Sequence, residues 1–108
     1  MLRNTEIITF GEKIKHLRID ANISLRELSK LIEVDYSLLA KIENDKRKPS
    51  ISVVDKIAKY YKIHKQDLIA TLLSDKIAYE IINSNLDTSI LVIAEEKVNY
   101  LRIKSKSK

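Results

Sequence analysis

The chain has 108 residues and 44% hydrophobic content, enough for one domain with a core and a small appendage. One Gly, one Pro and no Cys argue against an all-β fold and exclude disulfides, thiolate nucleophiles and most zinc sites, which fits a reducing compartment. The net charge of +5 favours a polyanionic partner, although many proteins are mildly basic.

The apolar pattern predicts helices throughout. Phe10, Ile14, Leu17 and Ala21 fall on one stripe of a first helix. Ser24-Leu-Arg-Glu27 matches a capping box that opens a second helix, with Leu25, Leu28 and Ile32 as its apolar face. Asp35 is suited to N-cap a third helix, whose buried side is Leu39 and Ile42. Pro49 stops any helix from running on through Lys46-Arg47-Lys48. Ser52-Val-Val-Asp55 opens a fourth helix carrying Val54, Ile57, Ala58 and Tyr61. A fifth begins near Lys65 with Leu68, Ile69, Leu72 and Leu73, and Ile77 and Ile81 are in phase to extend it as one rod. Asn83-Ser-Asn85 breaks the pattern, and Asp87 caps a last helix containing Ile90, Leu91, Ile93, Ala94, Val98 and Leu101. The predicted class is all-α. No internal repeat is visible, and the low-complexity end, Lys104-Ser-Lys-Ser-Lys108, is expected to be disordered.

No run approaches about 20 consecutive apolar residues, so no membrane span is predicted. MLRNTEIITF lacks the apolar region and cleavage site of a secretory signal, and a cytoplasmic location is the expectation. Charge is segregated along the chain. Residues 1–73 carry 14 Lys/Arg against ten Asp/Glu, residues 74–96 one Lys against five acids, and residues 97–108 five bases and no acid.

The spacing in the middle carries the functional expectation. Two short helices, roughly 24–31 and 36–44, are joined by a few residues, as in a helix-turn-helix whose second helix lies in the DNA major groove. Asp35, Tyr36, Ser37 and, one turn on, Ala40 and Lys41 would then face base edges, since none belongs to the apolar stripe. Ser24 and Arg26, at the start of the preceding helix, and Lys46, Arg47 and Lys48, in the loop behind it, are the candidate phosphate contacts. Each has a plainer alternative. The basic triplet is a solvated loop when read alone, Arg26 could pair on the surface with Glu27, Ser37 could complete the N-cap, and Tyr36 could pack locally.

Phe10-Gly-Glu-Lys-Ile14, Leu17-Arg18, Ile23-Ser-Leu-Arg-Glu-Leu28, Val34, Leu39-Ala-Lys-Ile-Glu43, Lys46-Arg-Lys-Pro49 and Ile57-Ala58 together resemble the Cro/C1-type (XRE) helix-turn-helix family, from about Phe10 to Leu72. The resemblance implies a five-helix, lambda-repressor-like bundle over 1–73, here with one or two extra helices in 74–108. It implies sequence-specific binding of double-stranded DNA, usually as a dimer. It also implies an internal ion pair between Arg18 and Glu43, which removes both from the contact candidates. The pattern departs from the family at Glu33 and Asp45, where Gly is usual, and at Leu25, where Gln is common. A left-handed backbone at Glu33 would carry some strain; Asp tolerates that conformation better.

Residues 74–108 are expected to form a dimerisation element through Ile77, Ile81, Ile90, Leu91, Ile93 and Ala94, because so short an appendage has little body of its own to bury them. The alternative is that these helices fold back on their own bundle. His16 and His64 lack partner ligands for a metal site. Glu95-Glu96 reads as a solvated face, and Tyr60-Tyr61 as core and rim. With no nucleophile–base set, metal cluster or phosphate-cradling loop, an enzyme is disfavoured, and no cofactor or small-molecule effector is indicated. The leading expectation is a homodimeric transcriptional regulator on a palindromic operator, such as a restriction–modification controller or phage-like repressor. An autorepressing antitoxin and a protein-interaction module that reuses the fold are the alternatives.

Overall fold

A computed structural model describes residues 7–106. Among these residues there are six α-helices and no strand: α1 (Phe10–Asp20), α2 (Leu25–Leu31), α3 (Tyr36–Glu43), α4 (Ile51–Tyr61), α5 (Lys65–Asn83) and α6 (Ile90–Lys106). No helix is long and apolar enough to cross a membrane among the described residues.

Side-chain caps set where the helices begin. Thr9 with Glu12, and Ser24 with Glu27, form complete capping boxes at α1 and α2. Asp35 accepts the Leu38 N–H at 3.1 Å to start α3. The fourth helix starts earlier than Ser52-Val-Val-Asp55 suggests. Ser50, directly behind Pro49, is extended and its hydroxyl accepts the Val53 N–H at 3.2 Å, which places Ser52 inside the first turn. Asp87 does not cap α6 directly: its carboxylate accepts the Ser89 N–H at 3.2 Å in a turn that precedes Ile90. The basic end expected to be disordered continues α6 through Lys106, and residues 107–108 lie outside the described part.

The ends of α1 to α5 share one device. Asn22, Glu33, Asp45, Lys62 and Asn85 are left-handed, with φ between 54° and 58°, and none is Gly. Behind each, the next N–H reaches back to a carbonyl of the last turn: Ile23 to Arg18 (3.3 Å), Val34 to Ser29 (3.0 Å), Lys46 to Lys41 (2.8 Å), Ile63 to Ala58 (2.9 Å) and Leu86 to Ile81 (3.1 Å). These are Schellman closures, and four of the five are followed by the apolar residue such closures favour.

The chain divides into two compact units, Met1–Asp75 and Lys76–Lys108, with the boundary inside α5. In the first, Phe10, Ile14, Leu28, Leu39, Ile42, Val54, Ile57 and Leu68 form the fully buried core, and α3 packs against both α1 and α2. Each of these side chains contributes roughly 1.5–3 kcal/mol by leaving water. In the second unit α6 has no buried residue, and Ile77, Leu91, Val92, Ile93, Val98 and Leu101 stand exposed.

Candidate nucleic-acid interface

Helix α3 is divided by burial. Leu39, Ile42 and Glu43 point into the first unit, while Tyr36, Ser37 and Lys41 are exposed and Ala40 is half-buried. Asp35 is exposed as well, but its carboxylate is engaged with the Leu38 N–H of its own helix. The outward strip at the front of α3 is therefore Tyr36, Ser37 and Lys41, flanked by Asp35 and Ala40.

The C-terminal end of α3 is fixed from two sides. Arg18 of α1 meets Glu43 with two parallel bonds, Nε to Oε2 at 2.8 Å and Nη2 to Oε1 at 3.1 Å, and its Nη1 donates to the Ile23 carbonyl at 3.1 Å. Glu43 is the first cause of the rise in the Arg18 pKa, through that hydrogen bond, and burial opposes it. The Tyr61 hydroxyl lies buried close by, and burial pushes its pKa up to about 12. At the other side of the same helix end, Asp45 accepts from the Thr9 hydroxyl at 2.6 Å and from the Gly11 N–H at 3.0 Å. Gly11 is the chain's one glycine, and it serves a close crossing and not a turn. A Cβ there would sit 2.6 Å from the Ile42 and Glu43 carbonyl oxygens.

Thr9, Lys56 and Asp75 act in this scaffold although no sequence expectation named them. Lys56 Nζ donates to the Glu33 carbonyl at 3.0 Å, across the turn that joins α2 to α3. Asp75 Oδ2 accepts the Phe10 N–H at 2.7 Å. Burial pushes the Asp75 carboxyl up, Asp45 and Glu12 add to the rise, and the Phe10 bond opposes it. A Thr-x-x-Glu spacing does announce the α1 cap in the sequence. Nothing local announces a partner 36 or 65 residues away.

The other candidates are distributed around α3. Ser24 is the α2 N-cap, its hydroxyl accepting the Glu27 N–H at 3.0 Å, and the Ser24 N–H and hydroxyl together hold the Glu27 carboxyl below its usual range. Arg26 of α2 lies over the Tyr36 ring, 4.5 Å from its centroid. Lys46, Arg47 and Lys48 are all exposed in the loop behind α3, and among the described residues none of them joins an ion pair. Tyr60 and Tyr61 meet edge to face at 4.9 Å. Of the apolar residues in the C-terminal unit, Ile77, Leu91, Ile93 and Ala94 are exposed, and Ile81 and Ile90 half-buried.

This geometry has counterparts. Residues 11–72 match the helix-turn-helix domain family, which is more than half of the chain. The restriction-modification controller protein C.AhdI from Aeromonas hydrophila is 27% identical, over 55% of this chain and 89% of that one, with a TM-score of 0.51. The N-terminal DNA binding domain of SinR from Bacillus subtilis is 30% identical over 56% and 88%, with a TM-score of 0.52. A chain of the SinR protein/SinI protein complex is 24% identical and shares the fold over 93% of this chain and 100% of that one, with a TM-score of 0.53. No curated protein matches the chain significantly. The chain belongs to the helix-turn-helix domain family, as a DNA-binding regulator of the Cro/C1 (XRE) type.

Proposed function

We propose that the chain binds double-stranded DNA sequence-specifically as a homodimer and regulates transcription from a (pseudo)palindromic operator in the cytoplasm. One observation carries this reading: the outward strip of α3, Tyr36, Ser37 and Lys41, runs directly into the exposed Lys46-Arg47-Lys48. A helix fits the major groove, which is about 12 Å wide, and a following basic loop then falls on the phosphates. Asp35 and Ala40 border the base-reading strip, and Ser24 joins the basic loop as a phosphate contact from the start of α2. Because Asp45 is turned to Thr9 and Gly11, its charge is partly neutralised by donors before any DNA arrives.

A second copy is the occupant assigned to the apolar surface of Lys76–Lys108. Leu91, Val92, Ile93, Val98 and Leu101 are exposed on the one helix α6, a concentration of apolar side chains that calls for cover. Two copies related by a two-fold axis would place two α3 helices in half-sites about 34 Å apart. Control of a restriction–modification or phage-like operon is the specific role favoured, since C.AhdI, at 27% identity, is such a controller. The same exposed surface is what favours the second reading, a module that acts through a protein partner.

Titrating a labelled duplex with the full chain and with Ile93→Glu, alongside light scattering, separates the parts. The wild type is expected to be dimeric and to bind duplex DNA, and Ile93→Glu to be monomeric with weaker binding. A variant that remains dimeric would place the interface elsewhere, and a wild type without duplex affinity would favour the protein-partner reading.

A further inference from the structure

We propose that Arg26 and Tyr36 act as one reading unit, in which the guanidinium held against the tyrosine ring takes the O6 and N7 acceptors of a guanine in the major groove. This rests on the DNA-binding reading above. Arg26 is the second residue of α2 and Tyr36 the first of α3, and the Arg26 Cζ stands 4.5 Å from the ring centroid. A guanidinium carries five N–H donors in a rigid fork, and contact with a ring, which takes no conventional hydrogen bond, leaves donors for a base edge. Among the described residues, Arg26 has no carboxylate partner within ion-pair distance and donates no side-chain hydrogen bond.

Position on α2 alone suggests a phosphate contact for Arg26. The stack instead carries its charge to the first turn of α3, the part that enters the groove. Little else there can make a two-pronged contact. Ser37 has one hydroxyl, Lys41 is a point charge one turn further on, and Asp35 is turned to the Leu38 N–H. Arg18 is engaged with Glu43 and Arg47 lies in the loop behind the helix, so among the described residues of the first unit Arg26 is the guanidinium at the front of α3. The ring also restricts how the long Arg26 side chain can move, which lowers the entropy lost on making two bonds in fixed geometry.

The test uses the site that the full chain enriches from a random duplex pool. Each guanine of that site is replaced in turn by 7-deazaguanine, which lacks the N7 acceptor, and affinity is read by competition. For one guanine in each half-site, the replacement is expected to weaken wild type and Tyr36→Phe by about tenfold. The same replacement should weaken Arg26→Lys and Tyr36→Leu by less than about twofold. Arg26→Lys keeps the charge but not the fork, so if it retains the full 7-deaza penalty, or selects the wild-type site unchanged, a phosphate contact is the answer and the pair is overturned. A Tyr36→Leu variant that keeps the full penalty also overturns it, with Tyr36→Phe controlling for folding. A wild type that enriches no site overturns the pair together with the DNA-binding reading beneath it.

Discussion

Arg18 and Glu43, 25 residues apart, close a two-pronged ion pair of 2.8 and 3.1 Å that joins α1 to the end of α3, with side chains only 15% and 5% exposed. Its effect is positional. Glu43 sits where the buried face of α3 ends, so holding it fixes how far the outward face is turned. Removing Arg18 leaves a buried carboxylate without its cation and the Ile23 carbonyl without its donor. Arg18→Ala is therefore expected to lower stability by about 3 kcal/mol, a large part of what a domain of this size has. The double change Arg18→Met with Glu43→Leu should recover most of the loss, because no charge is then left buried. Urea midpoints of the three proteins check this; a double variant no better than Arg18→Ala would contradict it.

The two residues that stand where this family usually has Gly should respond oppositely to Gly. Glu33 has φ 54° and is held through its backbone, its N–H on the Lys30 carbonyl and its own carbonyl accepting from Lys56, so Glu33→Gly removes strain and keeps both bonds. A gain of about 1 kcal/mol is expected. Asp45 has φ 58° too, but its carboxylate accepts from Thr9 and Gly11. Asp45→Gly should lose about 1 kcal/mol net, since a lost cap outweighs the smaller strain relieved at Asp. Equal gains from both changes, in the same urea experiment, would show that the cap contributes nothing.

These two residues also mark how much could be read beforehand. The helices, their N-caps at Ser24 and Asp35, and the core positions Leu28, Leu39 and Ile42 follow from local spacing, which a sequence displays directly. The position of Tyr36, Ser37 and Lys41 off the apolar stripe follows in the same way. The start of α4 lies just before Ser52-Val-Val-Asp55: Ser50 and Ser52 both resemble caps, and only the backbone behind Pro49 distinguishes them. The Asp45–Thr9 and Asp75–Phe10 bonds, and the stack of Arg26 on Tyr36, join different helices, so no local pattern encodes them. The role of Gly11 is hidden for a related reason: it is set by the approach of α3 and not by a turn of its own.

Asp75 predicts a pH effect. Burial, then Asp45 and Glu12, hold its folded-state carboxyl above the usual range against the opposing Phe10 bond. A raised carboxyl adds stability below its unfolded pKa of about 4 and loses it as pH rises through the folded value. Asp75→Asn keeps an oxygen for the Phe10 N–H and cannot ionise. It is expected to be more stable than wild type at pH 7, with the two converging as pH falls toward about 3. A wild type that is the more stable at pH 7 would mean that the carboxylate's attraction to the start of α1 prevails.

Lys46 and Arg47 should act on all DNA alike. Lys46→Ala and Arg47→Ala are each expected to weaken binding to every sequence and to reduce the slope of log K against log salt by about one unit. Anisotropy titrations over a range of salt measure both quantities. An unchanged slope would make the loop behind α3 a solvated one.

The most direct test of the whole account is selection of bound sites by the full chain from a random duplex pool. A two-fold dimer reading DNA through α3 should enrich an inverted repeat, with half-site centres about 34–36 Å apart or a multiple of that distance. A pool that shows no enriched sequence, or a single site without symmetry, would contradict it.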